Sequence, residues 1–319
     1  MGFILASSLS ILGVLSIACT VWTIVKKTRF SWGGRNFKQR QEDVEENSKD
    51  TSPPIVVAPA AQIPYTTLFA LNCVCPQLGL ILCLAVASGY HWKEVTSATC
   101  LVDGRMPINV FPSISACIGD FPLNREIWGA FISLYVGLRL PTCLVFLHTF
   151  SISAINIKQW VLMVRTVLHV IEQLCLIGLT VVTSRENLFF HQVYFALFWI
   201  ASILNLVVTT WINYQAIQKN SARLDSALMT RLEMTLQWRL ICCTLHLVSS
   251  LSALSWYFIH ESQCGDYQYT YFAVSEWLVV FSNIYFHMAE LGDSRDLIIS
   301  VKALSTTTSD KEEESAKRI

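Results

Sequence analysis

Long apolar stretches separated by short polar ones restrict this chain more than any other feature. Seven of them, 2–25, 65–90, 127–149, 160–183, 190–213, 240–259 and 269–289, match the roughly 20 residues that cross the hydrocarbon of a bilayer. Hydrocarbon offers the backbone no hydrogen-bond partners, so a crossing segment must be a helix or part of a closed barrel. The two-residue alternation of a membrane barrel is absent. Composition agrees. Hydrophobic residues make up 53% of the 319 and charged residues 14%, against about 25% charge in a soluble domain. Of the 46 charges, 24 fall in 26–63 and 290–319. No repeat of fixed period is visible. The fold expected is an all-α polytopic membrane protein. It has a six-helix transmembrane core over 64–290 and one extra N-terminal hydrophobic span.

Orientation follows from Lys and Arg, which collect on the cytosolic side. The segments 26–63, 150–159, 214–239 and 290–319 hold 17 of them, and 90–126, 184–189 and 260–268 hold 4. The linker 26–63 and the tail 291–319 are therefore expected in the cytosol, and the second set of loops on the lumenal or extracellular side. The stretch 1–25 has its basic residues after the apolar run, at Lys26, Lys27 and Arg29. That is the reverse of a signal peptide, so it reads as an anchor, with a cleaved signal-like segment as the alternative. The linker joins Trp32-Gly33-Gly34, a run of Gln, Glu, Asp and Lys, and Pro53-Pro54, a composition typical of disorder. Net charge is +0, and no basic field points to nucleic acid.

Of 11 cysteines, eight lie in apolar stretches, where they serve as small packing residues. Cys100, Cys117 and Cys264 lie in the expected lumenal loops, where one bridge can form. The favoured pair is Cys100–Cys264, which would tie the large loop to the last hairpin; the other reading is that none pair. That loop also carries 111–122, FPSISACIGDFP. Prolines at both ends preset φ, and small residues lie between. A short fixed element at the membrane surface follows, either a cap on the bundle or a lid that recognises a headgroup.

Charged groups inside apolar stretches are costly, about 2.5–3.5 kcal/mol at mid-helix, and usually face the bundle interior in pairs. Arg165, His169 and Glu172 are spaced i, i+4, i+7 on one helix face. Glu276, Asn283 and His287 share a face of the last stretch. Arg139 sits in the middle of the third. One reading is a structural pair, Arg139–Glu172 or Arg139–Glu276, that orders the helices. The other is a polar cavity for a lipid headgroup or a proton transfer. His148 and His246 are read as packing residues, and His191 and His260 as interfacial. The H-x-x-x-x-D acyltransferase pattern, H-E-x-x-H, G-x-S-x-G and the phosphate loop are all absent. No metal and no cofactor are expected. The residues alone lead to a polytopic protein with an internal polar site.

At these residues the chain resembles a known family. The run 111–128 (FPSISACIGDFPLNREIW), Arg139 and Val170-Ile171-Glu172-Gln173 are similar to the post-GPI attachment to proteins factor 2 family. So are Trp238-Arg239-Leu240, His260, Cys264, Tyr271, Glu276, and Asn283 through Met288. That family lies within the Frag/DRAM/Sfk group of six-helix membrane proteins, and the resemblance spans roughly 64–295. It implies lipid remodelling of GPI anchors in the Golgi membrane, or in that of the ER. There a saturated chain is returned to the lyso-form, directly or with the protein as an essential factor. The resemblance implies membrane lipids and GPI-anchored proteins as partners, with partner remodelling enzymes also in view. The competing reading is a non-enzymatic scaffold, or a lipid-organisation and autophagy regulator of the DRAM/Sfk type. Candidate catalytic residues are Glu172, Glu276 and His287. Arg139 and Asn283 form the candidate headgroup cluster, and Pro112, Ser113, Ser115 and Gly119 the candidate lumenal loop. Arg165, His169 and Cys117 stand outside the family pattern.

Overall fold

The structure is a computed structural model that describes residues 29–32, 61–97, 100–119, 121–152, 157–220, 226–290 and 297–301. The N-terminal stretch 2–25 and most of the linker and tail lie outside these residues, and so do the readings made on them. Eight helices follow one another: α1 Tyr65–Tyr90, α2 Trp92–Val95, α3 Ile114–Gly119, α4 Pro122–Ile152, α5 Gln159–Val181, α6 Leu188–Asn220, α7 Ser226–Gln263 and α8 Gln268–Met288. The chain is an all-α polytopic membrane protein. The helices α1, α4, α5, α6 and α7 are each long and apolar enough to cross a membrane. The 21-residue α8 is long enough but more polar. Its polar residues Ser275, Glu276, Ser282, Asn283 and His287 are buried, while Val274, Leu278 and Tyr285 face outward.

Several helices overrun the stretches expected from hydropathy. The α7 helix begins at Ser226 and α6 continues to Asn220, because a helix entering headgroups and water keeps its own hydrogen bonds. Each long helix packs on the next in sequence, α1 packs on α4, and α8 returns to α1 and closes the ring. Where α5 meets α6, the Cβ absent from Gly178 would come within 2.5 Å of the Tyr194 ring, so glycine permits that approach.

The bundle is polar inside and apolar outside. On α5, Val164, Val167, Ile171 and Leu174 are exposed, while Arg165, His169 and Glu172 are at most 1% exposed. Water would favour the reverse arrangement. Hydrocarbon favours this one, since it offers polar groups no partners and they turn toward one another inside the protein.

A small sheet joins the segments flanking the bundle. β1 Arg29–Trp32 and β2 Ala61–Pro64 pair antiparallel on either side of β3 Leu297–Val301, with Phe30 and Ile63 both opposite Ile299. The sequence reading gave the linker and tail no regular structure. Their ends instead satisfy backbone groups through this ladder. We call this the strand end of the bundle, and the opposite end, with α2, α3 and the α7–α8 turn, the loop end.

Candidate functional site

The loop end is held by a clasp of contacts. Cys100 and Cys264 form a disulfide, with Cα atoms 6.1 Å apart. It is the pair favoured from the sequence. Asp266 accepts the Ile108 N–H at 2.8 Å and the Arg105 guanidinium at 3.1 Å. The Ile108 N–H, with Arg105 beside it, holds the Asp266 carboxyl below its ordinary range. Tyr267 N–H donates to the Ile108 carbonyl at 2.7 Å, and Val110 N–H to Thr270 Oγ1 at 3.0 Å. His260 is buried, with Nε2 3.6 Å from Cys100 Sγ. It is therefore part of the clasp rather than an interfacial residue.

This clasp sets α3 down on α8. Trp277 Nε1 donates to the Pro112 carbonyl at 3.0 Å. Asn124 Nδ2 donates to the Cys117 carbonyl at 2.6 Å and to the Cys83 carbonyl at 3.1 Å, joining α3, α4 and α1. Ser113 Oγ accepts the Ala116 N–H at 3.1 Å and lies 3.0 Å from the Tyr269 hydroxyl. Gly119 rests near Thr183 with only ordinary contact for an added Cβ, so space does not demand glycine there. Cys117, on α3, is buried.

Glu276 reaches α3 from below. Its Oε2 accepts the Ile114 N–H at 2.9 Å and its Oε1 the Ser115 hydroxyl at 3.2 Å. Ser115 Oγ also lies 3.3 Å from His191 Nε2, and His191 Nδ1 lies 2.8 Å from the Val182 carbonyl. These groups sit at the mouth of a cavity of about 80 Å³. Its walls are mostly apolar, from Ile118, Trp128, Ile132, Leu176, Phe195 and Val280, and Asn283 also lines it. A smaller polar recess on the other side of Ser115 and His191 is lined by Arg125, Thr180, Thr183 and Ser184. Arg125 there makes a two-point pair with Glu186 at 3.0 and 3.1 Å.

A second polar centre lies deeper. Glu172 accepts Asn205 Nδ2 at 2.7 Å and Asn283 Nδ2 at 2.9 Å, and its Oε1 is 3.6 Å from His287 Nε2. Asn283 also donates to Ser202 Oγ at 2.7 Å. Neither Arg139–Glu172 nor Arg139–Glu276 forms an ion pair among the described residues. Arg139 and Arg165 instead converge on Glu290, at 3.5 and 3.1 Å. Both guanidiniums are fully buried, over the rings of Phe69 and Phe146. His169 Nε2 lies 3.3 Å from the Arg139 carbonyl, and its ring meets that of His287 at 6.2 Å. Arg139 therefore pairs with neither of the acids expected, and Glu172 and Glu276 belong to two separate centres. Glu276 lies 12 residues before the end of α8 at Met288, about 18 Å along its axis, whereas Glu290 lies just past that end, and Arg139 lies at the level of Glu290.

Sequence reasoning overlooked Glu290 because it follows the last apolar stretch by one residue and reads as a headgroup-level charge. It also took His191 for an interfacial residue, although the side chain is buried between Ser115 and the Val182 carbonyl. His246 behaves as the packing residue expected, held by Ser202, Ser282 and the Val279 carbonyl. The His148 side chain lies outside the described residues. Among the described residues, no three His, Cys, Asp or Glu side chains converge as a metal ion would require.

Known proteins place this architecture. The family described as Frag1/DRAM/Sfk1/Cwh43P N-terminal domain matches residues 64–295, a range that takes in all eight helices. A Drosophila melanogaster protein named post-GPI attachment to proteins factor 2-like is 26% identical over 236 residues, covering 72% of this chain and 69% of that protein. A Xenopus tropicalis protein named acyltransferase PGAP2 is 28% identical over 238 residues, covering 73% and 90%. A Caenorhabditis elegans protein named post-GPI attachment to proteins factor 2 is 24% identical over 218 residues, covering 66% and 78%. No solved structure matches the chain. With most of its length matched in one register, the chain belongs to the Frag1/DRAM/Sfk1/Cwh43P N-terminal domain family.

Proposed function

We propose that the protein remodels the lipid of GPI anchors during maturation of GPI-anchored proteins, by returning a saturated acyl chain to the lyso-form. The observation that carries this reading is the cavity under α3, apolar along most of its walls, with Ser115, His191, Glu276 and Asn283 as its few polar groups. Pockets for lipids have this form, since the walls take hydrocarbon and a few placed polar groups orient the reacting end. A water-sized occupant takes about 10–15 Å³ in such a cavity, so 80 Å³ holds on the order of six. That accommodates the reactive end of a chain and not its whole length. The remainder would lie outside, against lipid-facing residues such as Leu174 and Phe190. The names of the relatives, a post-GPI attachment factor and an acyltransferase, support a role in GPI-anchor maturation.

The loop end faces the lumen in this reading. The scarcity of Lys and Arg there supports it, as does a disulfide, which persists in oxidising compartments. The membrane is that of the Golgi, with the ER as the alternative, and the C-terminus is cytosolic. Of the three candidate acid–base residues, Glu276 is the one at the mouth. Glu172 and His287 lie beyond Asn283 and hold the bundle. Arg139 and Arg165, both paired with Glu290, serve order at the strand end rather than a headgroup.

The test uses the full chain in lipid vesicles, given a lyso-GPI or lyso-phosphatidylinositol acceptor and a labelled saturated acyl donor. Labelled diacyl product is expected. If no product forms while the same chain restores surface GPI-anchored reporters to deficient cells, the protein assists another enzyme and the catalytic reading fails.

A further inference from the structure

The arrangement at the cavity mouth allows a more specific assignment, which rests on the acyl-transfer reading. We propose that Ser115 is the nucleophile that carries the acyl chain and that His191 is its general base.

The tautomer of His191 follows from its partners. The Val182 carbonyl can only accept, and at 2.8 Å it requires the proton on Nδ1. In the neutral ring Nε2 is then bare and faces Ser115 Oγ at 3.3 Å. A base with one nitrogen held by an acceptor and the other turned to a hydroxyl has the geometry that activates serine, and such contacts are often long before substrate binds. The backbone carbonyl takes the orienting part that a carboxylate takes in the serine triad.

Glu276 completes a chain of three, its Oε1 lying 3.2 Å from the same hydroxyl. Two contacts meet at Oγ, but the hydroxyl has one proton. Both contacts are filled when one further proton resides on Glu276 or on His191 Nε2. The chain Glu276–Ser115–His191 thus stores a proton beside the reacting atom, in a site walled by hydrocarbon.

The neighbouring hydroxyl is unsuited to the task. Ser113 is fully buried, engaged by Tyr269 and the Ala116 N–H, and lines neither cavity. Ser115 lines both the apolar cavity and the polar recess. The end of a chain in the first would meet Oγ, while the second, about 10 Å³, has room for no more than about one water.

The donor is an acyl thioester or oxygen ester. As Oγ adds to its carbonyl carbon, His191 Nε2 takes the hydroxyl proton. The new C–O bond forms, the donor's C–S or C–O bond breaks, and the leaving thiolate or alkoxide receives that proton from His191. In the second half the free glycerol hydroxyl of the lysolipid gives its proton to Nε2, and its oxygen attacks the acyl-serine carbonyl. The bond to Oγ then breaks, and Oγ recovers the proton. Nothing is oxidised or reduced.

The test is covalent labelling of the full chain in detergent micelles or vesicles with a long-chain alkyl fluorophosphonate, followed by peptide mapping. This probe needs neither lysolipid nor acyl donor, so it tests the dyad separately from the function. Label is expected on Ser115 and absent in Ser115→Ala. His191→Ala should slow labelling by about 100-fold or more, the range of a lost general base. Each variant is used only where Cys100–Cys264 is intact, which reports a folded loop end. Ser115→Cys keeps the volume. After incubation with labelled acyl thioester it should hold a chain that neutral hydroxylamine removes, whereas the wild-type ester resists that treatment. Label elsewhere than Ser115, or equal labelling rates with and without His191, overturns the assignment. If Ser115→Ala acylates lysolipid at the wild-type rate, the covalent step is refuted and the remodelling function stands. Labelled Ser115 in a protein that transfers no chain to lyso-GPI would keep the dyad and refute that function.

Discussion

Replacing Glu290 by glutamine tests the account of the strand end most directly. One carboxylate lies 3.1 Å from Arg165 and 3.5 Å from Arg139, with both arginines fully buried. At an effective dielectric of about 20, unit charges at these distances attract by roughly 5 kcal/mol each. Desolvation and the repulsion between two guanidiniums offset much of that sum. What remains is the penalty for stranding buried charge, about 3–5 kcal/mol when one partner of a buried pair is removed. Glu290→Gln keeps the shape and removes the counter-charge. Purified protein should lose that amount by denaturant titration in mild detergent, and its abundance in membranes should fall several-fold. A second substitution separates charge from packing. Adding Arg165→Met to Glu290→Gln leaves one buried cation instead of two. It should restore about 1–3 kcal/mol, the coupling measured between contacting groups. If Glu290→Gln is as stable as wild type, or if the second change adds to the first without coupling, the two arginines do not depend on Glu290 and the reasoning fails.

Other outcomes follow from the same geometry. Reduction of Cys100–Cys264, or Cys264→Ser, removes a link between residues 164 apart. Stability should fall by about 2–5 kcal/mol, and non-reducing peptide mapping of the wild type should recover the linked pair. Asp266 is held below its ordinary 3.8, so its contribution is full above that value and lost only as pH falls through the lower folded value. Amide exchange at Ile108, corrected for intrinsic rates, should show equal protection at pH 7 and pH 5, and less at both in Asp266→Ala. A tag placed after Ile319 should be removed by protease added to sealed microsomes, and its protection would reverse the orientation. Glu172→Gln weakens a carboxylate that accepts two buried amides. Abundance should drop by an amount on the order of 2 kcal/mol of stability, with surface GPI-anchored reporters falling in proportion. Normal abundance with lost reporters would instead place chemistry at Glu172.

Much of this molecule was legible because hydrocarbon leaves the backbone few choices. The five strongly apolar helices announce themselves by length, and the inward polar face of α5 by the spacing of Arg165, His169 and Glu172. The pairing of those charges was not legible. Helical period says which side chains share a face, but not which face of another helix lies opposite, nor at what depth. Arg139 therefore had two plausible partners on paper and took a third, Glu290, whose position past the last apolar stretch concealed that α8 is carried inward there. His191 was obscured for a related reason. Its role depends on a loop segment 76 residues earlier in the chain, and no local pattern encodes the clasp that brings α3 down to meet it. The strands at the ends of the linker and tail went unread too, since four-residue segments gain their pairing from each other rather than from any periodicity of their own.

The two centres hang on one helix and differ in what encloses them. At the strand end of α8, His287 and, two residues beyond the helix, Glu290 meet charged groups supplied by α4 and α5. Charge paired in this way orders helices. At the loop end, Glu276 meets a six-residue helix held by a disulfide, an aspartate clasp and a tryptophan hydrogen bond, and beside it the packing leaves space. Asn283 lies between, with its amide on Glu172 and on the cavity wall. One helix can serve both ends because in lipid the polar groups must be satisfied by neighbouring helices, while its outward face needs only to be apolar. The tight charge cluster fixes the depth and rotation of α8 at one end. On the same helix Glu276 meets Ser115 and the Ile114 N–H near the other end, so the rotation that the charge cluster holds is the one at which Glu276 reaches α3.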